Sequence, residues 1–382
     1  MVAGESSGDL LAGRLLSGLR PRLPDALFHG IGGPDMAAYD FRCDWPIEKL
    51  AVRGLFEVLA HYREIKGIQT ALKTQLLNEK PAVFIGIDAP DFNLGLEKSL
   101  RQNGIPTMHF ISPSIWAWRG GRIKRIAAAV SHMMVIFPFE EAIYRKAGIA
   151  VTYVGHPLAE IIPMVPDVAQ ARQKLGIPED ALVAALLPGS RLSELKHNAI
   201  PFVRAAQKLL SRERSLRVVV AMAGSEQARY FQELLREAGL QEVPLLMIER
   251  DSHTVLAAAD AVLVASGTAS LEVALFKKPM VIAYKMVRAS WEILRHLAYQ
   301  PWIGLPNILA TEFLVPELLQ NEATPDSLAE AMWFQLIDSN NRAHLVTRFT
   351  EMHRSLIRDT ARESAEAVMQ LIDSSGARRL GS

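Results

Sequence analysis

A single cysteine, Cys43, is all the disulfide capacity the sequence has, which excludes an internal bridge and predicts a reducing compartment. Charge of one sign is equally scarce. Forty-two basic residues face 41 acidic ones, a net of +1, so a dedicated nucleic-acid binder is not expected and any basic patch must be local. No run approaches the roughly 20 apolar residues that span a bilayer. The opening Met1-Val2-Ala3-Gly4-Glu5-Ser6-Ser7-Gly8-Asp9 turns acidic and glycine-rich at once, so no secretory leader is expected. Also missing are a dinucleotide GxGxxG in register, a Walker loop, a Gly-x-Ser-x-Gly elbow and any His/Cys/Asp grouping with structural-metal spacing. These absences argue against NAD or ATP use, serine hydrolysis and a structural metal. His109, His132 and His156 are well separated, and each reads as a hydrogen-bonded structural group.

What is present is a long, apolar, globular chain. Its 382 residues exceed what one core usually supports, so two domains are expected. A mean hydropathy of +0.12 is high for a soluble enzyme and leaves peripheral membrane contact open. Short apolar runs at 83–87, 107–111 and 133–137 alternate with helical spacing at 10–20 and 94–100, which predicts a buried parallel sheet. Pro157, Pro163 and Pro166 mark a break, after which the alternation restarts with strands at 182–187, 216–222, 262–265 and 280–284. The last 40 residues read as helical, with Leu356, Ile357, Ala361, Ala365, Val368 and Leu371 on one face and a frayed tail from Ser374. That helix is expected to return to the first domain or to reach a partner subunit. Only Met1, Val2 and Ala3 precede the Gly4-to-Gly8 loop, which predicts an unusually short first strand and native residues missing upstream.

Several loops suit chemistry. Leu186-Leu187-Pro188-Gly189-Ser190-Arg191 ends an apolar strand in a glycine turn followed by a hydroxyl and a guanidinium, a pattern suited to phosphate oxygens or, more simply, to a turn with an exposed arginine. Ser266-Gly267-Thr268-Ala269-Ser270-Leu271-Glu272 also follows a strand and opens a helix; Ser266 or Thr268 could merely cap it, and Glu272 could meet ribose hydroxyls or only favour the helix dipole. Gly30-Ile31-Gly32-Gly33-Pro34 reads as a tight turn beside the sheet. Asp88 follows a strand into the crevice edge and is a candidate base, with Asp91 as a helix cap. Trp116, Trp118 and Arg119, followed by Arg122, Lys124 and Arg125, form a basic aromatic segment suited to a phosphorylated lipid, an anionic membrane or, least of all, nucleic acid. Leu55, Phe56, Leu59, Ile65, Ile68, Leu72, Leu76 and Leu77 predict a long amphipathic helix or helix pair whose apolar face is core or membrane-facing.

Taken in order, the segments Val2–Asp9, Gly54-Leu55-Phe56-Glu57-Val58-Leu59, Gly86-Ile87-Asp88-Ala89-Pro90-Asp91-Phe92-Asn93, Ser112-Pro113-Ser114-Ile115-Trp116-Ala117-Trp118-Arg119, Leu187–Arg191, Ser266–Glu272 and Leu305-Pro306-Asn307 resemble the lipid-A-disaccharide synthase family across nearly the whole chain. The resemblance implies an α/β GT-B glycosyltransferase of Gram-negative bacteria. Two Rossmann-like domains are expected, at 1–163 with 345–382 and at 164–344, with a terminal helix that crosses back or swaps between subunits of a homodimer. It implies transfer of 2,3-diacylglucosamine from UDP to 2,3-diacylglucosamine 1-phosphate (lipid X), at the cytoplasmic face of the inner membrane, without cofactor or metal. Asp88 is then the base for the acceptor hydroxyl. Gly189, Ser190, Arg191, Ser266, Gly267, Thr268, Ala269, Ser270, Glu272 and Asn307 fall to the nucleotide sugar. Ser7, Asp91, Trp116, Trp118, Arg119, Arg122 and Arg125 fall to the acceptor. Leu55, Phe56, Leu59, Ile65, Ile68, Leu72 and Leu76 fall to the anionic membrane surface. The other readings are a nucleotide-sugar epimerase or hydrolase, and a non-catalytic membrane-binding module.

Overall fold

A computed structural model describes residues 1–50, 55–116, 120–265, 267–286, 291 and 300–380, with side chains described for all of these except 55–61, 120 and 377–380. The chain forms two compact units, Met1–Glu160 with Leu356–Ser382, and Ile161–Ser355.

In the first unit the strands are β1 (Val2–Ala3), β2 (Phe28–Gly32), β3 (Phe41–Pro46), β4 (Phe84–Ile87), β5 (Thr107–Phe110), β6 (His132–Val135) and β7 (Val151–Tyr153). They pair in parallel in the order β3-β2-β1-β4-β5-β6-β7. Strand β4 is buried along its whole length, as an unbroken apolar run requires when helices cover both faces, and β5 is equally buried although it carries Thr107 and His109. β1 has only two residues, yet it is central, with Val2 registered against both Ile31 and Gly86. The chain direction across the sheet reverses between β1 and β4, so the loops leaving these strands flank the crevice where open α/β sheets bind ligands.

The second unit repeats the plan. Its strands β8 (Val183–Leu187), β9 (Arg217–Met222), β10 (Leu246–Glu249), β11 (Ala261–Ala265), β12 (Met280–Tyr284) and β13 (Glu317–Leu319) form a parallel sheet ordered β10-β9-β8-β11-β12-β13. Here the reversal lies between β8 and β11, the two strands that end in the glycine turns.

The C-terminal region departs from a single helix. Ser339–Leu356 and Thr360–Leu380 are separate helices, and the second remains helical past Ser374 rather than fraying there. The chain returns to the first unit at Leu356, not at 345. The earlier helix stays with the second unit because it buries Leu345 and Phe349 and sets the His353 ring against Lys277 Nζ at 2.6 Å. Thr360–Leu380 then packs on Ser6–Leu19 of its own chain, where Ala365, Ala367 and Val368 share a core with Leu11, Leu15, Leu16 and Leu19.

The segment 55–79 is one helix, Leu55–Glu79, and it corrects the membrane reading of its C-terminal half. Ile68, Leu72 and Leu76 are buried among Phe84, Phe92 and Leu100, and Ile65 packs at the edge of that cluster. Spacing of four residues puts these side chains on one face, and the sheet already covers it. Leu72→Ala is therefore expected to cost about 3 kcal/mol of stability, read as a lower melting temperature, with vesicle flotation unchanged.

Candidate active site

At the carboxyl edge of the first unit, the backbone turns sharply after β4: Asp88 and Ala89 both adopt left-handed conformations, with φ of +52° and +39°. L-residues hold such angles only when the surroundings fix them. Here Asn93 Nδ2 donates to the Asp88 carbonyl at 3.0 Å, and the Asp88 carboxylate accepts from the amides of Gly4 at 2.7 Å and Glu5 at 3.1 Å. Those amides belong to the loop that enters the helix Ser6–Leu19, where unpaired donors and the helix dipole favour an anion. Burial nevertheless dominates and pushes the Asp88 carboxyl up to about 7, against the lowering effect of both amides and of His109. A carboxylate that is fixed in place and poised near neutrality fits a general base.

The neighbouring acidic residue Asp9 has a different task. It accepts from the amides of Gly33, Asp35 and Met36, so the chain is held where it leaves β2 at Gly33-Pro34, whereas Gly30, Ile31 and Gly32 are strand residues and not the turn the sequence suggested. Ser7 is exposed in the first turn of the helix. Asp91 does not cap the helix Pro90–Gln102; it is exposed and meets Arg122 at 3.0 Å, which joins two acceptor candidates, while Arg125 is exposed nearby in sequence.

Trp116 stands after β5 with its indole Nε1 donating to Glu140 Oε1 at 3.1 Å. Glu140 is buried, its carboxyl is pushed up to about 7 by desolvation, and its other oxygen accepts from the Phe137 amide. Phe137 and Phe139 stack on one another, and both lie perpendicular to the Trp116 ring. The result is an aromatic wall at the carboxyl ends of β5 and β6, suited to an acyl chain or a sugar face. Glu140 and the two phenylalanines escaped sequence reading, because no motif connects them to Trp116.

In the second unit Gly189 has φ of +132°, and a Cβ there would sit 2.8 Å from Glu194 Oε2. That carboxylate accepts from the amides of Ser190 at 2.9 Å and Arg191 at 3.3 Å. The turn therefore does present converging backbone donors, and an anion taking them must displace Glu194. The Arg191 side chain is exposed and pairs loosely with the same carboxylate at 3.7 Å, a contact it can exchange for such an anion. In the adjacent turn Gly267 has φ of +128° and precedes the helix Thr268–Leu275, with Thr268 exposed and Ala269 half-buried. The Glu272 carboxyl is pushed up to about 7 by burial and lies 3.8 Å from His253 Nε2.

Two nucleotide candidates are corrected. Ser270 is fully buried and its hydroxyl donates to the Gly267 carbonyl, so it shapes the turn from behind. Asn307 is also fully buried and uses its whole hydrogen-bonding capacity within the chain: Nδ2 donates to Val315 O and Glu317 Oε1, and Oδ1 accepts from the amides of Leu314 and Val315. Trp118, Arg119 and Ser266, and the side chains of Leu55, Phe56 and Leu59, lie outside the described residues. One further element sits at this edge: Gly224 opens the helix Ser225–Glu237 after β9, and a Cβ on it would lie 3.6 Å from Arg250 Nε. The Ala223-Gly224-Ser225 turn after an apolar run was the signal for it. Among the described residues no group of three metal-ligating side chains occurs, and no helix is long and apolar enough to cross a membrane.

Two parallel α/β units, each carrying its polar loops at a topological switch point, define the GT-B class of glycosyltransferases and nucleotide-sugar epimerases. Solved structures share the fold at low identity: a UDP-GlcNAc 2-epimerase from Neisseria meningitidis bound to UDP-GlcNAc (TM-score 0.58, 12% identity, 96% of this chain and 97% of that one) and a glycosyltransferase from Rickettsia africae (0.54, 12%, 97% and 96%). The chain belongs to the lipid-A-disaccharide synthetase family, whose model matches residues 1–372. Lipid-A-disaccharide synthases of Paraburkholderia xenovorans and Aromatoleum aromaticum are 52% and 50% identical to it, covering 99% and 98% of this chain and 97% and 96% of their own.

Proposed function

We infer that the protein is an inverting glycosyltransferase that moves 2,3-diacylglucosamine from its UDP donor to the 6-hydroxyl of 2,3-diacylglucosamine 1-phosphate (lipid X), giving the β-1,6-linked disaccharide 1-phosphate and UDP. Family membership supports the reaction, and the Asp88 carboxylate carries the mechanism: it is anchored by two amides at the switch point of the first unit. It takes the proton as the acceptor oxygen attacks the anomeric carbon, and the α-linked donor inverts. The leaving diphosphate falls to the Gly189–Arg191 turn and the start of the helix Thr268–Leu275, whose backbone donors and Arg191 meet the growing charge. Trp116 and Arg122 serve the acylated, phosphorylated acceptor. With both substrates acylated, the enzyme works at a membrane surface, on the cytoplasmic side where nucleotide sugars are held.

A mass-resolved assay with UDP-diacylglucosamine, with and without lipid X, tests this. Disaccharide phosphate that forms only with lipid X supports transfer; UDP release without acceptor, or an epimerised sugar, rejects it. Because the base must be ionised and burial sets it near 7, kcat/KM is expected to rise about tenfold per pH unit below about 7 and to level off above it.

A further inference from the structure

The loops that leave β5 and β6 are joined by one buried side chain that the transfer mechanism leaves unused. Glu140 lies in the first turn of the helix Glu140–Lys146 and is almost wholly enclosed. Its Oε2 serves its own loop, accepting from the Phe137 amide at 3.1 Å. Its Oε1 reaches across 24 positions to accept from the Trp116 indole at 3.1 Å. A carboxyl group buried in this way is costly unless its oxygens are matched to donors. Shaping the loop after β6 accounts for one oxygen only. The other is spent on a tryptophan that is itself half-exposed. An indole at a half-exposed position can give its N–H to water, so the bond to Glu140 does more than satisfy a donor: it fixes the ring. Trp116 is held perpendicular to Phe137 and Phe139, with centroids 6.4 and 5.3 Å away.

The wall stands next to the base. The Asp88 amide donates to the Phe110 carbonyl at 3.0 Å, so the segment leading to Trp116 leaves the sheet beside the Asp88 turn. Because the indole N–H is committed to a buried partner, what the three rings offer a ligand is carbon. Sugar hydroxyls gain no hydrogen bond from such a surface, whereas a hydrocarbon chain matches it. We propose that Glu140 is a positioning residue for the acceptor: by clamping the Trp116 indole it fixes an apolar wall against which an acyl chain of lipid X lies. This rests on the acceptor reading of Trp116 given above. Glu140 does not touch the substrate, and its effect passes through the indole.

The test uses E140Q, W116F and the double variant in the full chain. Glutamine keeps the buried shape but brings one oxygen to two donors, so the clamp on the indole loosens. KM for lipid X is expected to rise about tenfold in E140Q, with kcat and the KM for the nucleotide sugar within about twofold of the parent. In W116F it is expected to rise by about tenfold or more, and the double variant is expected to go no further than W116F, because the two side chains act as one unit. An acceptor whose acyl chains are too short to reach the wall should keep its KM within about twofold in E140Q. Fluorine NMR of protein labelled with 5-fluorotryptophan reads the indole without reference to turnover, the Trp116 resonance being the one missing from W116F. Lipid X in detergent micelles should shift that resonance in the parent, and E140Q should displace it before lipid is added. An unchanged lipid X KM in either folded variant, a matching rise for the nucleotide sugar in E140Q, or effects that multiply in the double variant overturn the proposal. An equal rise for the short-chain acceptor assigns the wall to the sugar and overturns the acyl contact. If the parent makes no disaccharide with lipid X, the transfer reading itself falls, and the Trp116 resonance still decides: indifference to lipid X or to E140Q overturns the positioning role, and a response to both upholds it.

Discussion

Asp88→Asn is expected to lower kcat by about a thousandfold while leaving the KM for the nucleotide sugar within a few-fold of its original value. The substitution exchanges one oxygen for an amide nitrogen and removes the lone pair that takes the proton, and a positioned general base is worth about two to four orders of magnitude. The side chain keeps its place: the remaining oxygen can still accept from the Gly4 amide, although the new amide group must then face the Glu5 N–H that now donates to Asp88 Oδ2. That mismatch costs about 1 kcal/mol, too little to unfold a chain of this size. The donor turns lie in the other unit and are untouched. Steady-state kinetics with lipid X, together with a melting curve, checks all three statements; a variant that turns over normally rules the carboxylate out as base.

Gly8→Ala is expected to be the most informative change outside the carboxylate itself. Gly8 sits in the first turn of the helix Ser6–Leu19, so alanine suits the backbone and should raise helix stability by about 1 kcal/mol. Its Cβ, however, would lie 2.7 Å from Asp88 Cγ and would overlap Oδ2. The carboxylate must turn away from the Gly4 and Glu5 amides, and a displacement of about 1 Å at a reacting group costs about a hundredfold in rate. The variant should thus melt at or above the temperature of the parent and be about a hundredfold slower. Loss of stability in step with activity would instead assign Gly8 a packing role.

These two residues also show how far the sequence could be read. Short apolar runs bounded by glycine and proline located β4, β5, β8, β9, β11 and β12 to within a residue or so, because a strand buried on both faces has little choice but to be continuously apolar. The glycine turns after β8 and β11, and Asp88 after β4, were legible for the same reason: a strand's end fixes where its loop emerges. Gly8 was not legible as a contact, since the carboxylate that needs its missing side chain lies in the distant turn after β4, and Gly4 reaches that same group across 84 positions. Asn307 misled in the opposite way. Its place in Leu-Pro-Asn suggests a ligand contact, but Val315 and Glu317 take up its amide, and only the folded path of the chain shows that. The face of Leu55–Glu79 was ambiguous because an apolar stripe has the same spacing whether lipid or a sheet covers it.

The order of the chain through the two units has a consequence for biosynthesis. The first unit begins at Met1 but is completed only from Leu356 onward, with the entire second unit in between. Until Thr360–Leu380 has left the ribosome, Leu11, Leu15, Leu16 and Leu19 lack the helix that shares their core. The second unit, contiguous from Ile161 to Ser355, can close while synthesis is still under way. The half that holds Asp88 is thus translated first and sealed last, and the nascent chain carries an uncovered apolar helix through most of its own synthesis.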